Sequence, residues 1–486
     1  MELPLTGFYR YDSLPISAAE LVNFYVNVPE VITPSKKQLL IPSGIRTVTT
    51  AGSSYNRGMH TFLSYLYVVQ GTGLYRIDQT IDAYGNATYS STLVSGATLL
   101  PGTAPVIMAD NGQEGGQMVI VVPESTSTKN AWVYDGATLT QVADADFDGP
   151  VADVNYIDGY FEYTKQNGQK IFISGLRDGT TYDPLDYTNS EVSPDYNVRS
   201  FILNNQLYVF GFDTIQGYQD VGGAGFPFQY IQGSVQSKGL ASVYGVVGVN
   251  NSMFFVGGDH NEAPSIWQTD GGNIQKLSTI AIDMELARYS QSAISSCFTW
   301  NYSEAGAQFI AFTFPTEKTF VYDIKSQEWS TRESIDSTGA TVPCRIASVG
   351  KAYGVLFVGD TLTNKIGILD RNTYTEFDDM VARRFVLPHI DNDGQPFSID
   401  SIEVVANSGA SQTTGTGSNP LISLSVSRDG GRTFNNAITR SFGRIGQYAT
   451  RIIWNALGRV NREVCFKFEV SDPVPWAITK VEGNFD

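Results

Sequence analysis

The stretch Gln308–Trp329, QFIAFTFPTEKTFVYDIKSQEW, contains two runs of alternating apolar residues joined by a proline-containing turn. In Phe309–Phe314 the side chains of Ile310, Phe312 and Phe314 share one face. In Lys318–Ile324 those of Phe320, Tyr322 and Ile324 do the same. Because side chains alternate between the two faces of a strand, this pattern predicts an antiparallel hairpin with one face in a core. One small sheet cannot bury that face alone, which raises the question of whether the unit recurs.

Apolar runs of this kind recur along the chain, roughly 35–55 residues apart, which is the spacing of propeller blades. Small twisted sheets arranged radially leave only short edges, so the repeat predicts a β-propeller. The fourth unit is interrupted by the glycine-rich Gly222–Gly225, so six or seven blades are predicted. The runs are Leu66–Val69, Met118–Val122, Ile171–Ile173, Leu207–Phe210, Met253–Val256, Phe309–Phe312 and Val355–Val358.

Three of the units end alike, in WVYDG, TTYDP and FVYDI, which begin at Trp132, Thr180 and Phe320. We interpret each as the end of a third strand, with an aromatic side chain between blades and an aspartate that accepts backbone N–H groups in the next turn. Phe312, Phe320 and Tyr322 are expected to be buried. The one convincing helix signal is IDMELARYSQ, between units five and six, so helix should lie well below the ~30% of an average domain.

The two ends of the chain differ from this repeat. Residues 1–50 are punctuated by prolines and predict an irregular N-terminal arm, with one short helical turn in Ser17–Asn23. We assign residues 51–379 to the propeller. Residues 380–486 contain longer strands, separated in one place by the low-complexity loop Ser408–Asn419, and predict a β-sandwich-like assembly domain.

The composition excludes several classes of protein. The formal net charge of −17 argues against a general nucleic-acid-binding surface, which would be basic. Cys297, Cys344 and Cys465 are far apart, which indicates buried thiols and no disulfide framework. The N-terminus lacks the basic and apolar regions of a signal peptide, and no apolar run approaches the ~20 residues that span a bilayer. We expect a soluble protein made in a cytoplasm.

No motif in the sequence predicts catalysis. Ser427–Phe434, SRDGGRTF, has the form of the Asp-box of sialidase-type propellers, where these residues shape a tight hairpin turn and do no chemistry. His60, His260 and His389 stand in unrelated contexts without zinc-ligand spacing. Phosphate-binding and nucleophile-elbow motifs are absent from the sequence. We expect no catalytic residues, no cofactor and no metal.

Both ends of the chain contain short segments that occur together in one protein family. The C-terminal part has a strand–DG–strand hairpin at Ser427–Phe434, a W-x-x-[LV]-G-R segment at Trp454–Arg459, and a final strand at Val464–Val470. The N-terminal part contains SAAELVNFYVNVPE at Ser17–Glu30, which includes a VN pair, and is followed by PSGIR at Pro42–Arg46. In these segments and their order the chain resembles the packaged-DNA stabilisation or tail nozzle (tail hub) proteins of short-tailed, podovirus-like bacteriophages.

The resemblance implies a structural virion protein located in the phage tail. It implies a homo-oligomeric, hexameric ring that retains packaged DNA and conducts it during ejection. Its partners would be its own copies, tail proteins on the adaptor or portal side, and a tail fibre or spike. Double-stranded DNA would pass through the lumen without specific binding, because an acidic lumen does not attract the phosphate backbone.

The candidate inter-subunit contacts are Trp454, Arg459 and Arg462. Trp454 and Arg459 belong to the family-like segment, and the two arginines flank a turn in an otherwise acidic chain. The hypothesis is that these arginines pair with carboxylates of a neighbouring subunit, against the simpler alternative of a salt bridge within their own domain.

Two other functions remain open from the sequence. One is a carbohydrate-active, sialidase-like propeller enzyme, and the other is a receptor-binding module without catalysis. A pocket with paired carboxylates about 5.5 Å or about 6.5–9.5 Å apart would favour the enzyme.

Overall fold

A computed structural model of the protein describes residues 1–112, 116–223 and 225–486. Its strands form a seven-bladed β-propeller and a β-sandwich, so the predicted all-β architecture is confirmed. Helix is confined, in the described residues, to two short segments between the fifth and sixth blades. None of the described helices is long and apolar enough to cross a bilayer.

The N-terminal arm wraps the chain's own surface, and its strands pair with both domains. The helical turn predicted in Ser17–Asn23 is wrong, because this span holds a strand. Leu21 pairs with Phe385 on one side and Val22 with Thr331 on the other, so two partner strands override the local preference. The strands are β1 (Glu2–Leu3), β2 (Tyr9–Arg10), β3 (Ala18–Val22), β4 (Tyr25–Asn27), β5 (Gln38–Leu40) and β6 (Gly44–Thr50).

The first three blades follow directly. Blade 1 contains β7 (Asn56–Phe62), β8 (Tyr65–Gln70), β9 (Gly73–Ile81) and β10 (Ala87–Leu93). Blade 2 contains β11 (Ser95–Gly96), β12 (Ile107–Asp110), β13 (Met118–Val121), β14 (Ala131–Tyr134) and β15 (Thr138–Gln141). Blade 3 contains β16 (Asn155–Ile157), β17 (Tyr160–Thr164), β18 (Lys170–Gly175) and β19 (Asp178–Asn189).

The sequence prediction assigned the strands of blade 3 with a shift of one strand. TTYDP lies in the fourth strand, β19, whereas WVYDG and FVYDI end third strands as predicted. The second strand, β17, contains the fully buried Glu162, which interrupts the apolar pattern that marks the other blades. The aspartates have the predicted role: Asp135 accepts the backbone N–H groups of Ala137 and Thr138 at 2.9 and 2.7 Å.

Blades 4 to 7 complete the ring. Blade 4 contains β20 (Asn197–Leu203), β21 (Gln206–Gly211), β22 (Ile215–Asp220) and β23 (Phe228–Tyr230), and blade 5 contains β24 (Val246–Val249), β25 (Ser252–Gly257), β26 (Ser265–Thr269) and β27 (Ile274–Lys276). The helices α1 (Ile280–Leu286) and α2 (Gln291–Ser295) follow. Blade 6 contains β28 (Phe298–Glu304), β29 (Ala307–Thr313), β30 (Thr319–Asp323) and β31 (Trp329–Ile335), extended by β32 (Thr341–Pro343). Blade 7 contains β33 (Ile346–Ala352), β34 (Val355–Asp360) and β35 (Lys365–Asp370).

The N-terminal strand β6 is the fourth strand of blade 7, so the two ends of the propeller chain close the ring together. Blade 4 is a complete four-stranded sheet, which gives seven blades. Gly222 and Gly223 lie on the connection after β22, and Ala224 lies outside the described residues. The predicted helix Ile282–Gln291 is divided in two, because the Ser290 side chain accepts the Ala293 N–H and starts a second helix.

The hairpin from which the fold was predicted is confirmed. Ile310 pairs with Tyr322, and Phe312 pairs with Phe320. This face packs against blade 5, including Phe254, and against the two inserted helices. Phe312, Phe320 and Tyr322 are buried, as predicted.

The sandwich packs two sheets around one apolar core. One sheet has the order β4-β5-β43-β38-β41, with β1 also paired to β43, and the other has the order β3-β36-β42-β39-β40, with β37 also paired to β42. N-terminal strands therefore form part of both sheets. The C-terminal strands are β36 (Arg383–Val386), β37 (Ile390–Asp391), β38 (Phe397–Ala406), β39 (Leu421–Ser427), β40 (Ile438–Ser441), β41 (Ile452–Val460), β42 (Glu463–Val470) and β43 (Ala477–Phe485).

Candidate functional site

The propeller encloses a central cavity of about 440 Å³ between its innermost strands. Blades 1, 2, 4, 5, 6 and 7 contribute to its wall. Arg57 and Arg199 reach it from blades 1 and 4, and Tyr244 and Phe298 also line it. A cavity of this volume is the size of a small-molecule pocket, so a DNA double helix does not pass through a single propeller.

Arg57 braces the wall of this cavity. Its guanidinium donates to the backbone carbonyls of Ala104, Gly71 and Leu100 at 2.9–3.0 Å. Burial lowers the pKa of Arg57. Because its hydrogen bonds join blade 1 to the segment between β11 and β12 of blade 2, this arginine has a structural role.

A second cavity, of about 580 Å³, opens at one mouth of the channel. We call it the mouth cavity. Its rim is largely apolar, with Pro105, Pro315, Pro343 and the exposed Leu362. Glu124 is the one carboxylate among the described residues that line it, and it accepts backbone N–H groups.

A pair of buried acidic side chains connects blades 3 and 4. The Ser200 hydroxyl lies 2.8 Å from both Glu162 carboxylate oxygens, and its backbone N–H donates to Asp153 at 2.7 Å. Arg199 lies 3.8 Å from Asp153. Burial, together with the nearby Asp153, raises the pKa of Glu162 to about 8. Both carboxylates are fully buried, so they do not form the open carboxylate pair that a glycosidase needs.

The propeller and the sandwich are joined by one continuous sheet. Strand β3 lies between β31 of blade 6 and β36 of the sandwich. Arg384 makes two hydrogen bonds to the Glu333 carboxylate, at 2.8 and 2.9 Å, and a third to Glu20 at 3.2 Å. These contacts link β36 of the sandwich to β31 of blade 6 and to β3 of the N-terminal arm.

Asn23 completes this joint. Its backbone has a positive φ of 54°, and its side-chain amide donates to the carbonyls of Glu333 and Ala382 at 2.8 and 2.7 Å. Its side-chain oxygen accepts the Glu333 N–H at 3.1 Å. Asn23 was not predicted as a functional residue. It lies in the VN segment of Ser17–Glu30, and the resemblance of that segment to the family was the sequence signal that could have identified it.

Trp454 is fully buried in the core of its own domain, so it is not available for contact with another subunit. Its indole N–H donates to the Ile438 carbonyl at 2.7 Å. Ala456 and Gly458 have positive φ angles beside a register shift between β38 and β41. The family-like WNALGR segment is therefore a kinked strand anchored by its tryptophan. This corrects the prediction for Trp454.

Arg459 and Arg462 are exposed at the turn between β41 and β42. In the described part of the chain neither guanidinium has an ion pair or a hydrogen bond. The Asp-box segment forms the predicted turn: Asp429 accepts the backbone N–H of Arg432 and the hydroxyl of Thr433. These hydrogen bonds, the largest from Thr433, lower the pKa of Asp429.

The three histidines lie in different parts of the molecule: His60 in blade 1, His260 in blade 5 and His389 in the sandwich. His60 contacts Asp110 in the channel wall at 2.5 Å, whereas His260 is exposed near Asp213. Within residues 1–112, 116–223 and 225–486, no three His, Cys, Asp or Glu side chains form a group suited to a metal ion. All three cysteines are buried and free.

Comparison with known proteins identifies both domains. Residues 1–374 match the family model described as Bacteriophage P22 Gp10, beta-propeller, and residues 382–485 match that of the Gp10 beta-sandwich. The chain is 22% identical over 362 residues to the tail hub protein gp10 of Salmonella phage P22, covering 70% of this chain and 73% of that protein.

Two solved structures share a weaker likeness. PorZ, a surface component of the type-IX secretion system of Porphyromonas gingivalis, matches with a TM-score of 0.36 and 11% identity, over 67% of this chain and 38% of its own. The extracellular domain of a hybrid two-component system from B. thetaiotaomicron matches with a TM-score of 0.41 and 10% identity, over 89% and 58%. The chain thus spans less than two thirds of either protein, and both TM-scores are low, so these two structures support no conclusion about function.

The family models cover the propeller and the sandwich in the order in which they occur here, and the curated relative is a phage tail hub protein. The chain belongs to the Bacteriophage P22 Gp10 family and has a structural role in a phage tail.

Proposed function

We propose that the chain is the repeating subunit of a ring in the phage tail, through which packaged DNA is retained and then conducted during ejection. The observation that carries this proposal is that the central cavity of the propeller, at about 440 Å³, is too small for duplex DNA, in a member of a tail hub family. If DNA cannot pass through one subunit, its path must lie between several copies. The expected arrangement is hexameric, with other tail proteins bound on either side.

The distribution of charge supports this proposal. Residues 380–486 contain 11 Lys and Arg against 10 Asp and Glu, which leaves 21 against 39 in residues 1–379. The propeller half therefore carries nearly all of the negative charge. A lumen lined by such a surface repels the phosphate backbone, so duplex DNA slides without binding.

The rigid joint between the domains also supports a hub. A subunit that holds pressurised DNA must keep its domains in a fixed relation, and the shared sheet through β3 restricts hinge motion. The buried amide of Asn23 and the bidentate pair of Arg384 with Glu333 reinforce it.

Arg459 and Arg462 are proposed as contacts with carboxylates of a neighbouring subunit. Both are exposed, and neither side chain has a hydrogen bond or an ion pair among the described residues. The double variant Arg459→Glu/Arg462→Glu should fold normally and weaken incorporation into the tail, measured by quantifying the protein in purified particles.

Imaging of the purified full-length protein tests the proposed ring. We expect closed rings with a lumen wide enough for duplex DNA, and particles assembled without the protein should lose their DNA to added nuclease. Monomeric protein that cleaves a host glycan, or particles that retain DNA without it, would overturn the proposal.

A further inference from the structure

The loop between β4 and β5 presents two apolar side chains to solvent. This loop covers residues 28–37, and at its tip Val31 and Ile32 have exposed fractions of 74% and 104%. We call these two residues the apolar knob. In a single copy of the chain they contact almost nothing, and exposed apolar side chains held together at a surface often mark an interface.

The loop that carries the knob is held in place. Glu30 forms an ion pair with Lys325 at 2.5 Å, and Lys37 forms another with Glu328. The buried Ser35 donates to Glu2 at 2.6 Å. A side chain presented on a fixed loop loses little conformational entropy when it binds, which favours a preorganised contact.

The mouth cavity described above lies on the opposite face of the propeller. The knob is clamped to the turn after β30, which contains Lys325 and Glu328, whereas Pro315 and Thr316 of the cavity rim lie on the loop before β30. These two turns are at opposite ends of one strand. The knob therefore cannot reach the cavity of its own chain.

We propose that the apolar knob of one copy inserts into the mouth cavity of the next copy. This inference rests on the proposed ring and identifies one contact that builds it. A knob and a cavity on opposite faces make a heterologous contact, the kind that generates rings when the rotation closes. The cavity, at about 580 Å³, has room for both apolar side chains.

One exposed charge beside each surface is of opposite sign. Lys36 follows the knob in the loop, is exposed, and has no side-chain hydrogen bond or ion pair among the described residues. Glu124 supplies an exposed carboxylate at the wall of the cavity, whereas the Arg57 guanidinium that also lines it is buried and donates to backbone carbonyls. A copy seated on the cavity brings these opposite charges to the same interface.

Cross-linking between copies tests the contact directly. Full-length Ile32→Cys protein is mixed with full-length Leu362→Cys protein under mild oxidation. We expect a mixed disulfide dimer, formed only in the mixture. The matched control is Ile16→Cys, which is also exposed, at 61%, and should not cross-link to Leu362→Cys. The native thiols are buried, and burial raises the pKa of Cys344 to about 11, so they react slowly.

A charge at the knob provides the second measurement. Ile32→Asp should raise the protein concentration needed for half-maximal assembly by about tenfold or more, while Ile16→Asp leaves it unchanged. Thermal unfolding verifies that both variants fold.

The outcomes separate this inference from the proposed function. If the Ile32→Asp protein forms rings as readily as the wild type and the cysteine variants give no cross-link, the knob contact is overturned and the proposed ring is retained. Cross-linked open chains without closed rings support the contact and overturn the ring. If Ile32→Asp protein forms normal rings that fail only to enter tails, the knob binds a different tail protein and the inference is overturned. If the wild-type protein does not associate at all, both are overturned.

Discussion

Phe312 lies without exposed surface between blades 5 and 6, with its ring 6.0 Å from that of Trp329. Truncation at such a site removes apolar contacts and leaves a cavity. We expect Phe312→Ala to lower the free energy of unfolding by about 3–5 kcal/mol. Denaturant titration measures this, with the exposed Thr316→Ala in the same blade as control. A loss below about 1 kcal/mol would contradict the assigned packing.

Asn23 combines two demands at one position, a left-handed backbone and a side chain that bonds to both domains. Glycine tolerates the backbone angle but lacks the amide, so Asn23→Gly isolates the loss of hydrogen bonds. We expect it to cost about 1–3 kcal/mol. Asn23→Ala should cost more, because alanine also resists a positive φ. Equal stability of all three proteins in denaturant titration would rule out this role.

Glu162 gives the protein a predictable pH dependence. Its folded pKa of about 8 lies above the ordinary value of 4.5. The stabilising contribution of the protonated side chain is therefore complete below pH 4.5 and is lost as the pH rises through about 8. Glu162→Gln retains the shape without the ionisation. Between about pH 5 and about pH 9 the wild-type melting temperature should fall several degrees further than that of this variant.

The exposed Glu191→Gln is the control for that comparison, since it changes the same chemical group without altering a buried site. A parallel decline of the wild type and Glu162→Gln would show that the buried pair does not ionise in this range.

At the scale of the elements, the sequence predicted those strands whose apolar alternation is uninterrupted. The hairpin β29–β30 is one example, and the long sandwich strands are another. It failed at β17, where the buried Glu162 is satisfied by Ser200, a residue of the next blade. It also failed at β3, where the pairing partners lie more than three hundred residues away. Local pattern cannot report a partner that only the tertiary fold supplies.

In the candidate site, too, some features could be predicted from the sequence and others could not. The exposure of Arg459 and Arg462 could be anticipated from a polar turn between two strands. The burial of Trp454 could not be separated from a surface role, because a tryptophan in a family-like motif suits either a core or an interface. The mouth cavity is formed by loops from several blades, and no single stretch of sequence encodes it.

Strand β3 is expected to couple the unfolding of the two domains, because it pairs with β31 of blade 6 on one side and with β36 of the sandwich on the other. Leu21 is fully buried there, whereas Ile16 is exposed in the same segment. Leu21→Asp buries an unpaired charge and should cost about 3 kcal/mol or more. Calorimetry should resolve one transition in the wild type and in Ile16→Asp, but two in Leu21→Asp. A single transition in all three would show that the domains are coupled elsewhere.

At the scale of the whole molecule, the shared strand also changes how the N-terminal arm should be tested. Removing residues 1–35 takes strands away from both sandwich sheets, so an assembly defect in that variant would follow from misfolding. Single substitutions at exposed positions keep the fold intact and are the better probes of assembly.

The molecule's net charge of −17 predicts how it interacts with free DNA. A conduit must not hold the duplex that it conducts, and an acidic surface gains nothing from counterion release on binding DNA. We expect the purified protein to bind a fluorescent duplex more weakly than the ~10⁻⁴–10⁻⁶ M typical of non-specific DNA-binding proteins at physiological salt. Arg459→Glu/Arg462→Glu should not change this, because these side chains are assigned to protein contacts. Fluorescence anisotropy provides the measurement. Micromolar binding that falls steeply with salt, and that the double variant abolishes, would instead assign the two arginines to DNA.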